Sequence, residues 1–196
     1  MIDAITLTSY GAITIPVKKG EVVFMEHDKA RYYFQSATGK IKMYNTSQDG
    51  KEFVQGIFGD GHSFGEPPLL GDFSYPSTAV VVDDGELYRL PLEQFRLLLT
   101  ENPELHLEFT AHMCKRLGYK AMMGRELSIH PPEHRILTLL GHLKLVNDAS
   151  NTLYQVPLTR KQIGEMTGLR VETVIRTIKK LEQDEKLMLK NHKIFL

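Results

Sequence analysis

The chain has 196 residues and a mass of 22.4 kDa, which allows one large domain or two small ones and excludes a stapled mini-protein. Apolar residues make up 42% and charged residues 24%, both near globular averages, which argues against extensive disorder. The single cysteine excludes an intramolecular disulfide and any metal or iron-sulfur site built from cysteines alone. With no signal-like start and no stretch of about 18 apolar residues, we expect a cytoplasmic protein that does not enter a membrane.

Charge is distributed unevenly, although the formal net charge is zero. Residues 1–130 carry 13 basic and 17 acidic side chains, whereas residues 131–196 carry 11 and 7. A basic C-terminal part permits contact with phosphate but does not by itself demonstrate it.

From Ile13 to about Leu90, short β-branched and aromatic runs alternate with glycine-containing turns. The turns are Lys19-Gly20, Thr38-Gly39, Asp49-Gly50, Gly59-Asp60-Gly61 and Asp84-Gly85. This pattern predicts short antiparallel strands that form a sandwich or a barrel.

After Pro91 the apolar residues take up helical spacing. A short helix is predicted from Leu92, Phe95, Leu98 and Leu99. A second helix, of about 25 residues up to Ile129, is predicted from an apolar stripe that recurs every four residues: Leu105, Phe109, Met113, Leu117 and Ala121. The stripe fits either a core helix or a dimer interface. We expect the dimer interface, because a small domain cannot cover so long a helix.

Pro131-Pro132 predicts the main domain boundary, since prolines are tolerated at a helix start but not in its interior. The predicted parts are residues 1–100, 101–130 and 131–196. The next helix has an apolar face formed by Ile136, Leu139, Leu140, Leu143, Leu145 and Val146. Residues 147–151 read as a loop and residues 153–156 as a short strand.

The C-terminal residues predict a helix-turn-helix followed by a two-stranded wing. Thr159 and Gln162 form a capping box that opens a short helix, and Thr167-Gly168-Leu169 ends it. The second helix has an inner face of Val171, Val174, Ile178 and Leu181. Its predicted outer face consists of Arg170, Glu172, Thr173, Arg176, Thr177, Lys179 and Lys180. Residues 187–190 and 193–196 would form the wing.

Residues 59–66 (GDGHSFGE) and 168–176 (GLRVETVIR), together with the long helix between them, resemble the Crp/Fnr family of bacterial transcription regulators. The resemblance implies an α+β fold with an N-terminal β jelly roll (a double-stranded β-helix) of the cyclic-nucleotide-binding type, a dimerisation helix and a C-terminal winged helix-turn-helix. It also implies a homodimer that binds a palindrome in double-stranded DNA, with RNA polymerase as a further partner and no enzymatic activity.

By this resemblance, the effector pocket comprises Gly65, Glu66, Pro76, Ser77 and Thr78. Nucleotide-responsive members hold the ribose through the glutamate of a Phe-Gly-Glu turn and pair the cyclic phosphate with an arginine ten residues further on. Pro76 stands at that position, and proline has neither a charge nor an N–H. We therefore expect a degenerate pocket, no cofactor and no useful affinity for cyclic AMP. A regulator that responds to a cyclic nucleotide is the alternative.

No metal site is expected. Fnr-type clusters need several cysteines, and a cupin-like enzyme needs more histidines than His27 and His62 in the β part. His130 and His134 are four residues apart, but Pro131-Pro132 interrupts the helix that would align them, and no third ligand is obvious.

At the second helix, Glu172, Thr173 and Arg176 resemble the base-reading residues of the Fnr pattern, which implies a half-site containing TGA. Six further residues are candidates for phosphate contact: Thr159, Arg160, Arg170, Lys179, Lys190 and Lys193. Glu172 and Arg176 would also suit an ordinary i,i+4 ion pair. An interaction module with a vestigial helix-turn-helix stays open as a different class of function.

Overall fold

The computed structural model describes residues 2–146 and 153–196. They form two compact units, one reaching to Met113 and the other beginning at Cys114. The elements are α1 Ala4–Ser9, β1 Ile13–Val17, β2 Val22–Phe24, β3 Tyr32–Thr46, β4 Glu52–Phe58, β5 Ser63–Phe64, α2 Glu66–Gly71, β6 Thr78–Pro91, α3 Leu92–Glu101, α4 Pro103–Ile129, α5 Pro132–Val146, α6 Arg160–Thr167, α7 Val171–Gln183, β7 Met188–Lys190 and β8 Lys193–Phe195. Among these residues, no helix is both long and apolar enough to span a bilayer.

The N-terminal unit is built on antiparallel strands in the order β1-β6-β3-β4, with β2 paired to β6 and β5 paired to β3. Its core combines aliphatic and aromatic side chains, and Tyr33, Phe64 and Phe95 are fully buried. Helix α3 adds Phe95, Leu98 and Leu99 to this core, as the helical spacing predicts. The α+β class, with a β domain, a long helix and a C-terminal helix-turn-helix, is confirmed.

Two of the predicted turns are wrong, because Thr38-Gly39 lies within β3 and Asp84-Gly85 lies within β6. The two long strands pair with each other, and their register shifts at this point. A Cβ on Gly39 would lie 2.8 Å from the carbonyl oxygen of Asp83, and one on Gly85 would lie 2.0 Å from that of Thr38. The glycines therefore allow the two backbones to approach closely at a bulge.

The apolar stripe on α4 divides into two environments. Phe109 is only 6% exposed and belongs to the core of the N-terminal unit, and Leu105 and Met113 pack against that core. Leu117 is 70% exposed, and Ala121 is exposed as well. The prediction of one continuous interface stripe is therefore wrong. Each four-residue step advances by about 40° around a helix, so the stripe turns from the inside to the outside.

In the C-terminal unit, helices α5, α6 and α7 enclose a second apolar core of Ile136, Leu139, Leu140, Ile163, Met166, Val174, Ile178 and Leu181. Three predictions fail here. Leu145 and Val146 are exposed, Thr177 is buried, and residues 153–156 contribute only a single β-bridge, from Gln155 to Phe195. The predicted loop at residues 147–151 lies outside the described residues.

Candidate nucleic-acid interface

Helix α6 begins with the predicted capping box. The N–H of Gln162 donates to Thr159 Oγ1 (3.2 Å), and the N–H of Thr159 donates to Gln162 Oε1 (2.8 Å). These bonds satisfy backbone donors that the first turn of a helix leaves without partners. The Thr159 hydroxyl is thus already engaged in the cap, and its contact with phosphate stays a prediction.

The turn between α6 and α7 depends on two glycines. Gly168 has a φ of +66° and caps the C-terminus of α6. A Cβ on Gly164 would lie 2.7 Å from the carbonyl oxygen of Leu169, so glycine is also needed where the turn folds back on α6. The sequence analysis does not identify Gly164 as a turn residue. Its position four residues before Gly168 is the one sequence signal that points to it.

The predicted base-reading residues lie on the N-terminal half of α7. Glu172 and Arg176 are exposed and Thr173 is half-buried. In the part of the chain that the structure describes, neither charged side chain has an ion-pair or hydrogen-bond partner. Ile175 is 44% exposed beside them, so this face also offers an apolar contact. The i,i+4 ion pair allowed by the sequence is not formed.

The wing is a hairpin of β7 and β8 joined by Asn191 and His192, with φ values of +49° and +60°. Positive φ at both central residues is typical of a type I′ turn, whose twist suits a two-residue hairpin. Lys190 and Lys193 stand opposite each other beside this turn, and both are exposed. The predicted wing is confirmed, and its tip carries two positive charges.

Five of the six phosphate candidates are exposed, all except Arg160. Four of these five side chains have no polar partner within the described residues: Arg170, Lys179, Lys190 and Lys193. Arg170 is the N-cap residue of α7, but its side chain makes no capping hydrogen bond.

Arg160 and Lys180, in contrast, make contacts within the protein. Arg160 Nη1 donates to the carbonyl oxygen of His192 (2.7 Å) and so ties α6 to the wing. Lys180 Nζ lies 2.9 Å from Glu133 Oε1. The hydrogen bond from Lys180 lowers the pKa of Glu133. The role of Arg160 at phosphate stays a prediction.

The N-terminal unit places Gly65 and Glu66 at the start of α2. Gly65 has a φ of +75°, and a Cβ there would lie 3.0 Å from the rings of Phe24 and Tyr75. Glu66 is 1% exposed, and its Oε1 accepts a hydrogen bond from the hydroxyl of Ser63. The Phe-Gly-Glu turn is therefore present, with its carboxylate already bonded within the protein.

The other pocket residues follow on the segment that enters β6. The carbonyl oxygen of Pro76 accepts a hydrogen bond from Asn45 Nδ2 (2.6 Å), and Thr78 Oγ1 accepts one from the N–H of Glu26 (3.1 Å). Ser77 is 1% exposed, and its Oγ has no hydrogen-bond partner among the described residues. The arginine that would hold a phosphate has no counterpart at Pro76.

Tyr75 fills space next to Glu66. Its ring stacks on Phe24 with centroids 3.6 Å apart and planes 6° apart. Burial, followed by the carboxylates of Glu66 and Asp28, raises the pKa of the Tyr75 hydroxyl well above its usual range. An aromatic stack thus lies beside the only carboxylate of the predicted pocket.

A third cluster lies where α4 ends and α5 begins. Glu126, His130 and His134 each place one potential ligand atom so that all three atoms lie within 4.8 Å of one another. The expectation that Pro131-Pro132 keeps the two histidines apart was wrong, and Glu126 is the third group that the sequence did not reveal. Only its i,i+4 spacing from His130 could have pointed to it.

Comparison with known proteins agrees with this arrangement. Residues 14–102 match the cyclic nucleotide-binding domain, and residues 134–196 match the Crp-like helix-turn-helix domain. The chain is 26% identical to the cyclic AMP receptor protein of Thermus thermophilus, covering 85% of this chain and 75% of that protein. It is also 26% identical to the transcriptional activator protein FnrA of Stutzerimonas stutzeri, covering 86% and 70%.

Among solved structures, FixK2 from Bradyrhizobium japonicum shares the fold, with a TM-score of 0.77 and 22% identity over 94% of this chain and 92% of that one. Two family models in the expected order, relatives of both the Crp and the Fnr type, and the shared fold lead to one conclusion. The chain belongs to the Crp/Fnr family of transcription regulators and carries a helix-turn-helix DNA-binding domain.

Proposed function

We propose that the chain acts as a homodimer, binds a palindromic operator through α7, and does so without cyclic AMP. The observation that carries this proposal is the exposed pair of Glu172 and Arg176, which have no internal partners in the described part of the chain. In keeping with its family, we place the protein in the cytoplasm with RNA polymerase as a further partner.

The chemistry of α7 suits base reading in the major groove. Residues four apart on a helix lie on the same face, so Glu172 and Arg176 reach neighbouring base pairs. Arginine donates two hydrogen bonds to O6 and N7 of guanine, and glutamate accepts one from the amino group of cytosine. By likeness to the Fnr pattern, the half-site contains TGA, within TTGA. Thr173, between Glu172 and Arg176 on α7, is assigned to base reading with them.

Positive charge surrounds this face. Arg170 precedes α7, Lys179 lies one turn beyond Arg176, and Lys190 with Lys193 occupies the wing tip. These groups suit contacts to the DNA backbone on either side of the groove, which fix register and orientation without reading sequence. Thr159 and Arg160 are also assigned to phosphate contact in this proposal. Both lie at the start of α6, and their side chains make hydrogen bonds within the protein.

The exposed side of α4 supports the proposed dimer interface. Exposed residues recur along the helix at alternating spacings of three and four, which is a seven-residue repeat: Leu107, Thr110, Cys114, Leu117, Ala121 and Gly124. Such spacing is that of a two-helix coiled coil, and its small side chains allow close approach. Leu117 and Ala121 of the predicted interface belong to this repeat, whereas Leu105, Phe109 and Met113 serve the core. In the dimer, the two recognition helices lie about 34 Å apart, one turn of duplex.

The effector pocket argues against cyclic AMP. Pro76 supplies no charge for the phosphate, the carboxylate of Glu66 is bonded to Ser63, and Tyr75 stacks on Phe24 beside it. One relative is a cyclic AMP receptor protein, but Pro76 at the phosphate position supports a different outcome for this chain, because a buried phosphate needs a charge-assisted partner.

Selection of bound sequences from random DNA tests the proposal, combined with sedimentation of the free protein. We expect a dimer at micromolar concentration and enrichment of an inverted repeat with TGA half-sites. Leu117→Glu should weaken both dimer formation and DNA binding. A monomer, or the absence of salt-sensitive DNA binding, would instead favour an interaction module.

Calorimetry with cyclic AMP tests the effector part separately, and we expect no binding. Micromolar affinity that is lost in Glu66→Ala would contradict this part and support a regulator that responds to a cyclic nucleotide.

A further inference from the structure

The cluster at the junction of α4 and α5 combines one carboxylate with two imidazoles. Glu126 is in the last turn of α4 and is 4% exposed. His130 follows the end of α4, and His134 is in the first turn of α5, with 53% of its side chain exposed. All three belong to the C-terminal unit.

The backbone explains why these residues meet. The N–H of His130 donates to the carbonyl oxygen of Glu126 (3.2 Å), which continues the helical pattern past Ile129. The N–H of His134 then donates to the carbonyl oxygen of Pro131 (3.1 Å), so a new helix starts at once. The two prolines change the direction of the chain and return His134 to Glu126.

The side chains converge on the carboxylate of Glu126. His134 Nδ1 contacts Glu126 Oε2 directly, and His130 Nε2 lies 4.0 Å from Glu126 Oε1. The two imidazole rings stack with centroids 4.1 Å apart. One ligand atom from each of the three residues falls within a span of 4.8 Å.

One polar atom in the cluster lacks a hydrogen bond. His130 Nε2 is buried and has no hydrogen-bond partner in the described ranges. Arg135 Nε donates to the carbonyl oxygen of His130 (2.7 Å), which holds the backbone of that residue but leaves its ring nitrogen without a bond. A buried nitrogen without a bond is costly in a folded protein, and a metal ion would supply the missing partner.

We propose that Glu126, His130 and His134 bind one divalent transition-metal ion of the zinc type. Two imidazole nitrogens and one carboxylate oxygen are donors that zinc accepts, whereas magnesium and calcium prefer oxygen alone. Three protein ligands leave a fourth position for water. Coordination at about 2.0–2.2 Å places the ion between the ligand atoms. It therefore requires side-chain rotations that separate His134 Nδ1 from Glu126 Oε2, bring His130 Nε2 closer and open the stack of the two rings.

A bound ion would link the last turn of α4 to the first turn of α5. The adjacent Glu133 already bonds to Lys180 of α7, so the start of α5 is held on both sides. The site is independent of base reading by Glu172 and Arg176, and its failure would leave the proposed DNA contacts unaffected.

Titration of the full-length protein with Zn²⁺ alone, after chelator treatment, tests the site by calorimetry at pH 7.5. We expect one ion per chain with micromolar or tighter affinity, and a higher Tm in the presence of the ion. Co²⁺ in place of Zn²⁺ should give the visible absorption of a four-coordinate ion, which reports the ligand set directly.

Variants separate this site from the other histidines. His134→Ala removes a half-exposed side chain, so the fold should persist while Zn²⁺ affinity falls at least about tenfold. Glu126→Gln should do the same with nearly the same shape. His106→Ala, which removes an exposed histidine elsewhere on α4, is the matched control and should change nothing. Absence of binding at 100-fold molar excess, or binding that survives both His134→Ala and Glu126→Gln, would overturn the proposal.

Discussion

The two compact units place the polar groups of their predicted sites in opposite environments. In the N-terminal unit, Glu66 and Ser77 are buried, and the carboxylate of Glu66 is bonded to Ser63. In the C-terminal unit, Glu172 and Arg176 are exposed and have no partner among the described residues. One chain thus retains the fold of a cyclic nucleotide-binding domain with its predicted pocket carboxylate bonded internally, while the face that we propose for DNA reading is exposed.

The difference has a physical basis. A buried carboxylate must be hydrogen-bonded within the protein, so its environment is set by packing and is hard to adapt to a ligand. An exposed arginine without an internal partner keeps its donors available for the two hydrogen bonds that a guanine accepts.

The largest effect is expected for Tyr75→Ala, which removes a buried ring from the stack with Phe24. Loss of the ring should destabilise the N-terminal unit by about 3–5 kcal/mol. Chemical denaturation measures this change. Phe73→Ala removes a half-exposed ring two residues away and should change stability by less than about 0.5 kcal/mol. Equal losses of stability in the two variants would show that the stack of Tyr75 on Phe24 stabilises the N-terminal unit no more than an exposed ring does.

A smaller effect is expected for Thr159→Ala, which removes the side-chain half of the capping box on α6. The C-terminal unit should lose about 1 kcal/mol of stability. Thr159→Ser keeps the hydroxyl and should retain most of that stability, as thermal denaturation would reveal. If Thr159→Ala lowers DNA affinity without lowering stability, the hydroxyl serves phosphate and not the cap.

Lys190→Ala and Lys193→Ala should each act on all DNA alike, because we propose that the wing lysines contact the DNA backbone and not the bases. Each substitution should reduce the slope of log affinity against log salt by about 0.9. Fluorescence anisotropy over a salt series on matched and scrambled duplexes measures the slope. Lys51→Ala, an exposed lysine in the N-terminal unit, is the control and should leave the slope unchanged.

The smallest effect concerns pH. Burial lowers the pKa of His142, whose ring stacks on Tyr119 with centroids 4.0 Å apart. The unfolded chain therefore binds a proton more readily than the folded one, so stability falls as pH drops below the ordinary histidine pKa of about 6.5. His142→Gln should flatten this dependence in urea denaturation at pH 5.5 and 7.5. His106→Gln, at an exposed site, should leave it unchanged.

Local chemistry explains what the sequence predicted well. The capping box at Thr159, the glycine turn at Gly168 and the strongly one-sided pattern of α7 are signals confined to a few residues, and the structure bears them out. The family resemblance was equally secure, because three separate segments occur in the family's order. These features need no knowledge of which distant residues pack against them.

The predictions that failed concern residues whose environment is set by residues far away in the sequence. Gly39 and Gly85 were interpreted as turns, but each serves the close approach of a strand far away in sequence. The stripe on α4 was interpreted as one face, although a four-residue repeat turns steadily around a helix and carries Phe109 inward and Leu117 outward. Glu126 escaped notice because only the change of direction at Pro131-Pro132 returns His134 to it.

The central claim is that Arg176 reads a base from the open face of α7. Selection of sequences from random DNA by the wild type and by Arg176→Ala tests it most directly, with Lys190→Ala as the control for a general loss of affinity. We predict that Arg176→Ala relaxes the choice of base at one guanine in each half-site and weakens binding to the preferred operator by about 1–3 kcal/mol, while Lys190→Ala retains the full sequence preference. An unchanged sequence preference in Arg176→Ala, with only a uniform drop in affinity, would contradict the claim and leave specificity to Arg170, Thr173 or the shape of the DNA.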